Sequence, residues 1–145
     1  MDSGFDLEEI RKICEGKVKE VLAEEDAILS SIKNLIIYSK EATQMTTIRS
    51  HIRLELTPSN PTIAGLGPSA IMRHNLNFIV HMIMKNIDYD RNKLFTYFIS
   101  KVTKKILRKD FSGAIFKDVS NFSVPIDKDW ERNTAVFNIM YDEFS

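Results

Sequence analysis

At 145 residues, with 43% hydrophobic and 28% charged side chains, the chain has the size and composition of one globular domain, which excludes a disordered or collagen-like polymer. Twenty basic and twenty acidic residues cancel, so there is no general electrostatic pull toward nucleic acid or an anionic membrane, and any attraction must come from a local pattern. The single cysteine, Cys14, cannot form an internal disulfide, and it points to an intracellular setting, cytoplasmic or nuclear.

The first segment, MDSGFDLEEIRK, places acids where a secretion signal needs a basic start and an apolar run, so no such signal is expected. Beyond it Leu7, Cys14, Val21, Ile28 and Leu35 recur every seven residues, with Ile10, Val18 and Ile32 on the intervening turns. This spacing predicts one long amphipathic helix over residues 5–39. Asp6, Glu8 and Glu9 suit its first turn, where carboxylates face the positive end of the helix dipole. Gly16 and Glu25 interrupt the seam, and from Ile32 onward the apolar positions broaden to Leu35, Ile36, Ile37 and Tyr38. The first half therefore reads as a partner-binding stripe, Leu7, Ile10, Cys14, Val18 and Val21, and the second half as an anchor into the domain. Cys14 itself reads as a buried, inert thiol.

Glu41 to Leu56 fits two templates. Ile48, Ile52 and Leu56 make a helix face, while Ile52, Leu54 and Leu56 alternate with Arg53 and Glu55 as in a strand; helix is the reading adopted. Residues 57–68, TPSNPTIAGLGP, hold three of the four prolines and two of the five glycines, which predicts a turn-rich connection. A second helix is expected from Pro68, burying Ile71, Met72, Leu76, Ile79, Met82 and Ile83. A third is expected from about Asp90 to Lys109, with Leu94, Phe95, Phe98, Val102 and Ile106 inward. In the tail Phe122, Val124 and Ile126 alternate, whereas Trp130, Val136, Phe137, Met140, Tyr141 and Phe144 suggest a last helix opening near Asp127. The expected fold is accordingly an all-α single domain over residues 1–145, a compact bundle of about four to five helices with its helical core in residues 68–145.

The chemistry-bearing motifs are weak. Gly65-Leu66-Gly67-Pro68-Ser69-Ala70 matches a loose dinucleotide-binding turn but follows a proline-rich loop where that fold needs a strand. Asp88, Asp90 and Asn92 reproduce the start of a calcium loop, which then fails at Lys93 and Ile99, positions that require glycine and a bidentate glutamate. Asn121-Phe122-Ser123 matches a glycosylation sequon by a pattern too short to carry weight. On the helical reading His74 and His81 stand two turns apart, too far to share a metal ion, and His51 lies in another segment. Met72, Met82 and Met84 read as core packing, or as an adaptable groove if exposed together. No metal, cofactor or catalytic residue is expected.

The sharpest local pattern is electrostatic. Lys101, Lys104, Lys105 and Arg108 share one side of the third helix, opposite its apolar side, while Glu20, Glu24, Glu25 and Asp26 make the first helix acidic. The stripe has three explanations: cations favoured at a helix C-terminus, phosphate contacts to nucleic acid, or pairing with an acidic helix of another copy or protein. The functional expectation is a non-enzymatic helical module for protein–protein interaction or oligomerisation, such as a homodimer, without membrane insertion. A small nucleic-acid-binding accessory protein is the alternative, and an enzyme using Cys14 or a histidine the third.

Overall fold

The fold is a mixed, sheet-rich one. In the computed structural model, residues 6–33, 35–38, 50–58, 60–64, 71–85, 91–107, 114–125 and 130–144 are described. Their elements run in chain order α1 (Leu7–Ala23), a 3-10 turn (Ala27–Leu29), β1 (Ile36–Tyr38), β2 (His51–Pro58), β3 (Thr62–Ala64), β4 (Ile71–Lys85), α2 (Arg91–Leu107), β5 (Ala114–Pro125) and β6 (Trp130–Phe144). The strands form one sheet in the order β1-β2-β4-β6-β5, and β3 also pairs with β4. Apart from β1, which runs parallel to β2, the pairings are antiparallel.

The all-α expectation is therefore corrected. The N-terminal helix stops at Ala23 rather than reaching residue 39, because Glu24 turns to extended backbone and Asp26 caps the new 3-10 turn by accepting from the Ile28 N–H at 2.9 Å. Its start behaves as expected: the Asp6 carboxylate accepts from the Glu8 and Glu9 backbone N–H groups at 3.1 and 3.3 Å. The expected second helix is β4, the expected last helix is β6, and the stretch ending at Leu56 contributes β2. The proline- and glycine-rich connection over 57–68 contains the end of β2 and all of β3. Residues 65–70, with the dinucleotide-like turn, and Asp88 and Asp90 lie outside the described residues. Only the third expected helix, α2, stands as read, with Leu94, Phe95, Phe98, Val102 and Ile106 all buried.

Strand β4 explains why. Its inward positions are the even ones, Leu76, Phe78, Val80, Met82 and Met84, all in the core, and they alternate as a pleated strand requires. They meet Ala135, Phe137, Ile139 and Tyr141 of β6, in register with Phe78 opposite Phe137 and Val80 opposite Ala135. From β2 the same layer takes Ile52 and Leu54, and over it lie Ile10, Cys14, Val18 and Val21 of α1 and the apolar side of α2. Both helices thus cover one face of the sheet. Each fully buried Phe or Leu contributes about 1.5–3 kcal/mol through removal of apolar surface from water.

The lengths do not match. Each helix has 17 residues, about 25 Å at the α-helical rise. Strands β4 and β6 have 15 residues each, paired along their whole length, about 50 Å at the rise of an antiparallel strand. A ribbon made of β3, the start of β4 and the end of β6 runs past the helices.

Candidate functional site

Among the described residues two regions lie outside the helix-covered core: the sheet face away from the helices, part of which is itself buried, and the ribbon end. The first is built from the odd positions of β2 and β4 and the even positions of β6. In register it places Arg53 opposite His81 and His81 opposite Thr134, with Glu55 beside Ile79 and Ile79 beside Val136.

His81 and Thr134 are both buried. The imidazole Nε2 lies 2.8 Å from a Glu55 carboxylate oxygen, and Nδ1 lies 3.1 Å from the Thr134 hydroxyl. Burial holds the His81 pKa below its ordinary value; the Glu55 hydrogen bond opposes that shift, and the charges of Arg53 and Arg132 reinforce it. In the neutral ring the proton sits on Nε2 and is donated to the carboxylate, which can only accept, so Nδ1 accepts from the Thr134 hydroxyl.

A carboxylate, an imidazole and a hydroxyl in line is the arrangement that activates nucleophilic hydroxyls. Here Thr134 sits between two fully paired strands, so the neighbouring backbone N–H groups are engaged in the ladders and cannot serve an oxyanion. The arrangement is best suited to satisfying buried polar groups in the sheet.

The flanking arginines differ from the others. Among arginines whose side chains are described, Arg11 pairs with Glu8 and Arg73 with Asp142 at 2.8 Å. Arg53 and Arg132 meet no carboxylate among the described residues; the Nε atom of each is buried without a hydrogen bond, as is that of Arg11.

At the ribbon end, Ile63 of β3 stands opposite Met72 of β4. They share a face and are 73% and 40% exposed, which is unusual for paired large apolar side chains. Arg73–Asp142 and the His74 Nε2–Glu143 contact at 3.2 Å tie the ribbon across β4 and β6.

No family model and no curated protein matches this chain. Its fold is shared. A chain in the structure of a native gene transfer agent virion superposes with a TM-score of 0.50 at 13% identity, covering 86% of this chain and 91% of that one. At that identity the likeness is one of fold.

The residues singled out from the sequence go to different places. Ile10, Cys14, Val18 and Val21 are buried in the chain's own core, and Leu7 packs partly against it, so the stripe lies under the fold and not on its surface. The Cys14 thiol is pushed up to about 12, by burial first and then by the charge of Glu15, as suits an inert thiol.

The basic stripe on α2 is engaged within the chain. Lys101 reaches Asp26 at 2.7 Å and lies over the Tyr97 ring, and Lys105 approaches Glu24 and Glu20 at 3.6 and 3.9 Å. The Tyr97 hydroxyl donates to the same Asp26 oxygen at 2.6 Å. These partners hold the Asp26 carboxyl down at about 2. Lys104 is exposed, and Arg108 lies outside the described residues. The stripe's acidic partner, expected in another molecule, is thus the end of the chain's own first helix, and the phosphate-binding reading loses two of its four cations to it.

His74 and His81, on one helix face in the sequence reading, fall on opposite faces of β4 because seven is an odd spacing in a strand. Met82 and Met84 are core residues and Met72 is exposed, so the three form no common groove. Among the described residues no three His, Cys, Asp or Glu side chains group as metal ligands, and no helix is long and apolar enough to cross a membrane.

Reading the sequence missed Arg53, Glu55, Arg132 and Ile63. The available signal for the first two was the alternation Ile52, Leu54, Leu56 with Arg53 and Glu55 between them, which assigns the charges to the opposite face once the segment is a strand.

Proposed function

We propose that this chain is a non-enzymatic subunit that works by self-association. The observation that carries the reading is the ribbon that outruns the helices and ends in the exposed Ile63–Met72 pair. Apolar side chains held on a rigid, cross-tied two-sided ribbon lose little conformational freedom when covered, so burying them on a second molecule is favourable. A chain of similar fold belongs to a virion, a setting consistent with a subunit role. The buried thiol and the satisfied His81 suit a structural protein in the same way.

Light scattering of the purified chain from dilute to concentrated solution tests the reading. Concentration-dependent mass is expected, with Ile63→Lys combined with Met72→Lys shifting the distribution toward monomer while the far-ultraviolet circular dichroism is unchanged. A parent chain that stays monomeric throughout rejects self-association.

A further inference from the structure

The four described methionines stand in different surroundings. Met82 and Met84 of β4 are in the core, 0% and 3% exposed. Met140 of β6 is half-buried on the sheet face away from the helices. Met72 is 40% exposed, at the start of β4, on the ribbon that runs past both helices. Its cross-strand neighbours are Ile63 of β3, itself 73% exposed, and Glu143 of β6, whose carboxylate lies 3.2 Å from the His74 imidazole. Solvent therefore reaches Met72 more openly than any other described methionine, and one of its two neighbours in register is charged.

A thioether is oxidised by hydrogen peroxide. The sulfur lone pair takes one peroxide oxygen, the O–O bond breaks, and an S=O bond forms. The transferred oxygen gives its proton to the departing hydroxide, which leaves as water; the sulfur loses two electrons and the peroxide gains them. At Met82 or Met84 the added oxygen would enter a packed apolar layer, whereas at Met72 it meets water. Oxidation at Met72 is thus both accessible and compatible with the fold.

We propose that Met72 is an oxidation site that governs the ribbon contact, its sulfoxide leaving the subunit folded but unable to associate. This names the regulation of the surface on which the self-association reading rests, and it depends on that reading. The apolar pair has two members, and oxidation makes one of them polar. Covering the S=O group with a second copy removes its hydration without supplying a donor. The relation runs both ways, because a surface covered by a second copy is closed to peroxide, and susceptibility follows exposure.

The test treats the purified chain with hydrogen peroxide and reads it by peptide mass mapping, light scattering and urea unfolding. Met72 is expected to gain one oxygen about tenfold or more faster than Met82 and Met84, and more slowly as protein concentration rises. The urea midpoint stays near the parent's while association weakens about tenfold or more. Reduction by the two epimer-specific methionine sulfoxide reductases restores it. Met72→Leu keeps an apolar side chain of similar size and every other methionine, so it associates as the parent does and is insensitive to peroxide. Met72→Gln carries a polar group of similar length and associates weakly with no oxidant present.

Oxidation of Met82 or Met84 as fast as Met72, or equal loss of association in peroxide-treated Met72→Leu, overturns the assignment. So does a parent that associates unchanged once Met72 carries its oxygen, or whose Met72 oxidises at one rate at every concentration. If the paired lysine substitutions at Ile63 and Met72 still dissociate the parent in those cases, self-association stands and only the oxidation site falls. A parent that never associates before peroxide is added rejects both.

Discussion

On the helix side of the sheet Phe78 and Phe137 lie with ring centroids 5.9 Å apart under α1 and α2. On the other side, one to three residues along the same strands, His81 and Thr134 share a hydrogen bond and Ile79 lies beside Val136. Because side chains alternate across a strand, one stretch of β4 supplies both a dry core and a polar, charged surface. The two faces hold together differently: the first by area removed from water and close packing, the second by pairing polar groups whose desolvation would otherwise be uncompensated.

The largest expected difference between the faces is in truncation. Phe78→Ala should lower unfolding free energy by about 3–5 kcal/mol through the cavity it leaves, whereas Val136→Ala on the opposite face should cost roughly 1 kcal/mol or less. Urea unfolding measures both, and equal costs would mean that the second face is packed as tightly as the first.

Next in size is the polar centre. His81→Ala leaves the Thr134 hydroxyl and the Glu55 carboxylate without their partner and should cost about 1–3 kcal/mol. The native protein also carries a pH signature there. His81 is faced by Glu55, Thr134, Arg53 and Arg132, and its folded pKa lies below its ordinary value, so the unfolded chain takes up the proton first as pH falls. Stability is fully present above about 6.5 and declines below it, toward the depressed folded value. Unfolding midpoints collected across that window should show the decline in the parent and a flatter profile in His81→Gln.

A smaller effect of opposite sign is expected on the covered side. A Cβ added at Gly16 meets nothing within 4 Å, so Gly16→Ala should raise stability by about 0.5–1 kcal/mol, as it usually does in a helix interior. Thermal denaturation suffices to read it.

The smallest change concerns the tie between the helices. With its carboxyl held at about 2 against an ordinary 3.8, Asp26 contributes stability that is present above about pH 4 and lost as pH falls toward 2. In Asp26→Asn that part of the acid limb should flatten, in a stability profile taken from pH 5 to 2. An unchanged limb would show that the Tyr97 and Lys101 contacts do not hold the carboxylate in solution.

Much of the helical part was legible. Asp6 with Glu8 and Glu9 marks the start of α1, and the positions Ile10, Cys14, Val18 and Val21 lie inward as their spacing requires. In α2 every apolar position assigned to the core is in it. The reading failed where apolar residues occupy both faces of a strand. Strand β4 carries Leu76, Phe78, Val80, Met82 and Met84 inward and Ile79 and Ile83 outward, and such a run satisfies a helical template as easily as an alternating one. In β6 Val136 and Met140 beside Phe137 and Tyr141 had the same effect. The wealth of β-branched and aromatic residues in both was the remaining clue. The helical stripe beyond Ala23 was coincidental: Ile28 of the seven-residue series is exposed, although Ile32 from an intervening turn is buried.

By itself the sequence determined the local elements whose signals are local: the cap and stripe of α1, the whole of α2, the inertness of a lone cysteine in an apolar stripe, and the charge pattern of the two helices. Tertiary structure decided what those features meet. Strand pairing links residues far apart in the chain, Arg53 to His81 and His81 to Thr134, and only that pairing brings Arg53 and Arg132 to one face, where neither meets a carboxylate among the described residues. The stripe of α1 and Lys101 and Lys105 of α2 became internal contacts because the sheet supplied an apolar face for one and the end of α1 and the turn after it an acidic partner for the other.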